Sequence, residues 1–133
     1  MNRLGMIVDL SHAGKQTCLD AIEVSNKPVA ISHANPNFYH KTKRNIDTDI
    51  LQKLVKKNGF IGLSLYPYHL KNLGDCTIED FCEMIKELVN LIGEDNIGIG
   101  SDLCLNWPDD VVMWMRNGTV SYTHLTLPRR IRV

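Results

Sequence analysis

The sequence predicts an α/β fold built on a parallel sheet. Two observations carry this. Four short apolar runs rich in β-branched residues, Met6–Asp9, Pro28–Ser32, Phe60–Leu65 and Ile97–Gly100, are continuous rather than alternating. That is how strands buried on both faces read. Stretches of helical periodicity separate them, so strand and helix alternate along the chain.

The elements follow in order. After the Met6–Asp9 strand, a helix is expected over about Lys15–Val24, then the Pro28–Ser32 strand. Ile50, Leu51, Leu54 and Val55 make the inward face of a helix from Thr48 to Lys57, and Asn58-Gly59 ends it. The Phe60–Leu65 strand leads to the clearest helix, Ile78–Ile92. There Ile78, Phe81, Cys82, Ile85, Leu88, Val89 and Ile92 fall on one face. Thr77 caps this helix with Asp80 three residues on, a weaker form of the capping box, and Gly93 stops it. The Ile97–Gly100 strand precedes a last helix that starts at Pro108, a good first helical residue, and runs to Met115. The pattern fits either a doubly wound open sheet or a (β/α)8 barrel. No G-x-G-x-x-G or P-loop follows any strand, so a nucleotide-binding reading has no support.

Composition narrows the function. The 133 residues suffice for one domain with a real core. Lys and Arg number 15 and Asp and Glu number 15, giving zero formal charge and no field for nucleic acid or anionic lipid. No run approaches the roughly 18 apolar residues of a membrane span. The N-terminus lacks a signal peptide's apolar region, since Asp9 interrupts the first run; a cytoplasmic location is the default reading. The four cysteines, Cys18, Cys76, Cys82 and Cys104, form no C-x-x-C pair and read as reduced and buried.

The chemistry lies at the strand ends. The first run ends Asp9-Leu10-Ser11-His12, the second Ser32-His33 and the fourth Gly100-Ser101-Asp102. In a parallel α/β sheet those ends share one side, which is where active sites form. Neighbouring strands sit about 4.8 Å apart, so His12 and His33 can converge on one ion. In a closed barrel Asp102 would face the pair across the mouth. Lys41, Lys43 and Arg44 form a basic loop cluster, and Arg has the fork geometry for a substrate carboxylate. His40, His69 and His124 lack such context and read as solvated or hydrogen-bonded.

The stretches Gly5–His12, Pro28–His33, Lys43-Arg44-Asn45 and Gly98–Asp102 resemble successive motifs of the membrane (renal) dipeptidase family of zinc metallopeptidases. His33 stands 21 residues after His12, Arg44 stands 11 after His33, and Asp102 stands 69 after His33. The resemblance covers about Arg3 to Asn117. It implies a (β/α)8 TIM barrel of the metal-dependent-hydrolase type, with two zinc ions bridged by a glutamate. It also implies that His12 and His33 are metal ligands, that Arg44 holds the carboxylate of a dipeptide, and that Asp102 assists proton transfer. The family's His-x-Asp motif and bridging glutamate have no counterpart here. The resemblance therefore implies the C-terminal half of the barrel, about four βα units, with Met1 an internal methionine and a homodimer admitted for the complete enzyme. A fragment of this kind is expected to be inactive alone and to be dimeric, aggregated or molten. After Asp102 the chain reads Leu103-Cys104-Leu105-Asn106-Trp107, where the family often reads Phe-Asp-Gly. Hydrolysis of another small amide or ester, or a non-catalytic metal-binding or interaction role, stay open as alternatives.

The domain is expected to occupy residues 1–119. Residues 120–133 hold Arg129, Arg130 and Arg132 and no acid, leaving 12 basic against 15 acidic residues in the remainder. Val120–Pro128 resembles the translation of a sequencing-library adaptor, so this tail is expected to be non-native.

Overall fold

The computed structural model describes residues 1–102, Asn106 and Pro108. Its strands are β1 (Ala30–Ala34), β2 (Phe60–Leu63) and β3 (Ile97–Ile99). They pair in the order β1-β2-β3, all parallel. Helices α1 (Lys15–Val24), α2 (Thr48–Lys56) and α3 (Ile78–Ile92) occupy the connections, with short 3-10 turns at Asn2–Leu4, Pro67–His69 and Leu73–Asp75. This is the α/β arrangement that alternating patterns dictate. The helix expected from Pro108 lies outside the described residues beyond Pro108 itself, as do Cys104, His124 and the whole tail from residue 120.

The first expected strand is reduced to an isolated bridge. Asp9 pairs in parallel with Ala30, through bonds from Leu10 N to Ala30 O (2.8 Å) and from Ala30 N to Val8 O (2.9 Å). Met6 and Ile7 are exposed. The segment has β1 on one side, and among the described residues nothing pairs with its other side. A strand with a single short neighbour gains few ladder bonds.

The core forms between sheet and helices. Ile31, Ile61 and Leu63 from the strands meet Leu51, Leu54, Met84 and Leu88 from α2 and α3, all fully buried. In α2 the buried residues are Ile50, Leu51 and Leu54, with Val55 packed against them. In α3 the capping box is complete: Thr77 Oγ1 accepts from Asp80 N, and Asp80 Oδ2 accepts from Thr77 N. The buried stripe of α3 differs from the expected one. It runs Phe81, Met84, Leu88, Ile92, while Ile78 and Cys82 are exposed. The face is rotated toward Met84, which is fully buried in the core. Cys18 and Cys76 are buried free thiols as expected; Cys82 is free but exposed.

One irregularity in the sheet matters for the site. Ala30 and Ile31 pair with Phe60 and Ile61, and Ala34 pairs with Leu63. Ser32 and His33 therefore both oppose Gly62, which is a β-bulge. Bulges of this kind re-aim side chains and are over-represented beside active sites. A Cβ on Gly62 would lie 2.1 Å from the Ser32 carbonyl oxygen, and one on Gly100 only 1.7 Å from it. Only glycine at both positions leaves room for the bulged peptide.

Candidate active site

The bulge decides where His33 points. In a regular strand adjacent side chains face opposite ways. The extra residue lets Ser32 and His33 serve one site, with Ser32 Oγ 2.8 Å from His33 Nδ1. The same hydroxyl donates to Asp9 Oδ2 and lies 3.1 Å from Ser11 Oγ. Ser11 Oγ in turn accepts from the His33 amide at 3.1 Å.

His12 arrives from the other side. It follows the Asp9 bridge with a φ of 67°, a left-handed conformation uncommon outside glycine. That turn brings its Nε2 to 3.0 Å from His33 Nε2, with the rings edge-on at 61°. Two donors on one tetrahedral ion at about 2.0–2.1 Å stand about 3.3–3.4 Å apart. The pair needs to part only slightly to share an ion. Burial first, then the charges of Arg44 and His33, lower the His12 pKa from its ordinary value, while Asp102 and Asp9 oppose the shift. A neutral imidazole is the form that ligates metals. Among the described residues no group of three or more His, Cys, Asp or Glu is placed to hold an ion.

Asp9 supports the pair from behind. Its Oδ1 accepts from the amides of Ser11 and Ser32, both at 3.0 Å. Burial pushes its pKa up, but the bonds from the Ser32 hydroxyl and these amides outweigh it and bring it to about 2. The carboxylate is ionised at any working pH.

Arg44 reaches the site from the loop after β1. The loop closes through Ile46 N to Asn35 O and Asn37 N to Ile46 O, both 2.8 Å. Its own polar side chains hold it: Thr42 Oγ1 accepts from the Arg44 and Asn45 amides, and Asn37 Oδ1 from Thr42 N. The Arg44 guanidinium donates to the His33 carbonyl at 2.9 Å. A cavity of about 430 Å³ opens beside it, lined by His12, Asn37, Lys41, Lys43, Arg44 and Asp47 among others. Lys15 and Asp47 join at 2.9 Å across its rim.

Asp102 follows β3. The pairing of β2 and β3 continues past the strands through Gly100 N to Leu63 O (3.0 Å) and Leu65 N to Ser101 O (3.1 Å). This carries the chain to the His12 side, and the Asp102 charge acts on His12. Asp102 is exposed and also takes a left-handed φ, 57°.

The structure thus brings together His12, His33 and Arg44, with Asp102 within electrostatic reach. His69 sits apart, buried, its Nδ1 3.0 Å from Ser64 Oγ. Ser11, Ser32 and the hydrogen bonding of Asp9 are not among the residues that the sequence pattern marks for chemistry. The signal was a Ser-His pair repeated at 11–12 and 32–33, with an acid two residues before the first.

The family model for "Membrane dipeptidase (Peptidase family M19)" matches residues 1–109. The chain belongs to the membrane dipeptidase family. It is 35% identical over 104 residues to an uncharacterised dipeptidase of Schizosaccharomyces pombe, covering 77% of this chain and 25% of that protein. It is 37% identical over 103 residues to a dipeptidase of Claviceps purpurea, covering 77% of this chain and 24% of that protein. The chain spans about a quarter of the length of these relatives. Among solved structures, an amidohydrolase from Pseudomonas aeruginosa matches with a TM-score of 0.79 and 37% identity, over 86% of this chain and 35% of that one. A metallopeptidase from Rhodobacter sphaeroides, liganded with a phosphinate mimic of the dipeptide L-Ala-D-Ala, matches with a TM-score of 0.73 and 26% identity, over 77% and 30%. The family is one of metallopeptidases, and the parallel α/β sheet of this chain matches its fold. No helix among the described residues is long and apolar enough to cross a membrane.

Proposed function

We propose that this chain carries one half of the active site of a zinc dipeptidase on a (β/α)8 barrel. The observation that carries the reading is the 3.0 Å approach of two imidazole Nε2 atoms beside a basic cavity. His12 and His33 would hold the zinc. A zinc ion in such a site supplies an acidified water and polarises a carbonyl. Arg44 and the lysines of the cavity rim attract the carboxylate of a dipeptide, which the mimic bound to the R. sphaeroides relative makes the favoured substrate class. Asp102 takes a proton at its carboxylate and returns one to the leaving amine. A substrate with one free carboxylate suits the basic lining of the cavity. Among the described residues two histidines make half of a tetrahedral shell. The chain by itself is therefore expected to hold zinc weakly and to lack turnover.

The test uses a chimera in which residues 1–109 replace the matching stretch of the S. pombe relative. Asp102→Asn should lower kcat for a dipeptide by about 10²–10⁴ with zinc content unchanged. Arg44→Ala should chiefly raise KM, since carboxylate capture is largely uniform binding. Near-normal turnover in a folded, zinc-loaded Asp102→Asn chimera would remove Asp102 from the chemistry.

A further inference from the structure

The Ser32 hydroxyl has one proton and two lone pairs. Asp9 Oδ2 can only accept from it, because the carboxylate is held ionised by that hydroxyl and two backbone amides. The proton of Ser32 is thereby committed to Asp9. Its lone pairs then face Ser11 Oγ at 3.1 Å and His33 Nδ1 at 2.8 Å, and both must donate. Ser11 can do so, since its oxygen already accepts from the His33 amide. His33 can donate at Nδ1 only as the Nδ1–H tautomer, which leaves the lone pair on Nε2, the atom facing His12.

We infer that Asp9 is a positioning residue that acts through the Ser32 hydroxyl to hold His33 in the Nδ1–H tautomer. The inference rests on the reading of His33 as a zinc ligand. Outer hydrogen bonds of this kind orient a ligating imidazole, and their loss costs about 10–100-fold in metal affinity. Asp9→Asn reverses the relay without changing its size. The amide oxygen must stay on the two backbone N–H groups, so the NH₂ takes the place of Oδ2 and donates to Ser32 Oγ. Ser32 then gives its own proton to His33 Nδ1, and the ring becomes the Nε2–H tautomer. Ser32→Ala removes the relay altogether and serves if the first variant fails to fold.

The measurement is ¹⁵N–¹H NMR of histidine-labelled, metal-free chain at pH 8.5, about two units above the ordinary histidine pKa. A zinc titration of the same samples accompanies it. Wild type should show His33 protonated at Nδ1. Asp9→Asn should show it protonated at Nε2, with zinc affinity lower by about 10–100-fold. A wild-type Nε2–H tautomer overturns the inference, as does a tautomer that neither variant changes. A tautomer that switches while zinc affinity depends on His33 but not on Asp9 overturns the positioning role. If the tautomer switches and zinc binds His33→Ala as tightly as wild type, the relay stands and the zinc reading falls.

Discussion

His69 shows how one buried side chain sets the pH response. Its ring packs on Tyr66, with centroids 4.9 Å apart, and its carbonyl accepts from the side-chain amides of Asn35 and Asn45. Burial first, then the charges of Arg44, His33, His12 and His40, push its pKa down to about 3. In the unfolded chain it titrates near about 6.5. Between these values the unfolded state binds a proton that the folded state refuses. Stability is therefore full above pH 6.5 and falls as pH drops toward 3, by up to about 1.4 kcal/mol per unit. Thermal unfolding followed from pH 7.5 to 4.5 should show this slope, and His69→Gln should flatten it by about one proton. An unchanged slope in the variant would place the acid sensitivity elsewhere. The sequence could place His69 among solvated or hydrogen-bonded histidines because nothing near it has metal spacing. It could not tell that the ring is buried. That follows from Asn35 and Asn45, which tie the loop after β2 to the loop after β1 through contacts of high sequence separation that no local pattern carries.

At the scale of elements, the bulge in β1 is the feature on which the site depends. Gly62 and Gly100 make room for the Ser32 carbonyl, and the bulged peptide turns His33 toward His12. Gly62→Ala places a methyl group 2.1 Å from that oxygen. The strand must shift, at a cost of about 1–3 kcal/mol as in other overpacked interiors, and the two Nε2 atoms should separate. Chemical denaturation and zinc titration of Gly62→Ala check both consequences together. Unchanged stability with unchanged zinc binding would mean that the bulge does not set the site. The helices were far more legible than this. Thr48–Lys56 and Ile78–Ile92 announce themselves through 3.6-residue periodicity and a stop signal, and the second also through the Thr77 cap, all of them local. The strand ends were legible as positions of chemistry, but β1 extends to Ala34 and takes His33 inside the strand. A bulge depends on the register of two strands about thirty residues apart, so the sequence of either one is silent about it. The Met6–Asp9 run likewise has strand composition, yet it forms a single bridge because pairing requires a neighbour as well as a pattern.

At the scale of the molecule, two sheet edges lack a strand partner among the described residues. β3 carries Ile99 at 64% exposure on one side, and the segment before Asp9 carries Leu4 at 74% and Ile7 at 70% on the other. Apolar, unpaired edges template association. Sedimentation should show the chain associating as its concentration rises, and Ile99→Lys should weaken that association; a monodisperse wild-type monomer throughout would contradict it. The family, and with it the parallel α/β fold, could be read from four short motifs at fixed separations, three of them at strand ends and one in the loop after β1. The ligand set of a complete metal site could not, since it requires groups that this stretch of about a quarter of the relatives' length does not bring together among its described residues. Calorimetric titration of zinc into wild type, His12→Ala and His33→Ala tests most directly whether His12 and His33 form one zinc site. Wild type should bind one ion weakly, and either variant should lose that binding. Tight binding that survives His12→Ala would contradict it.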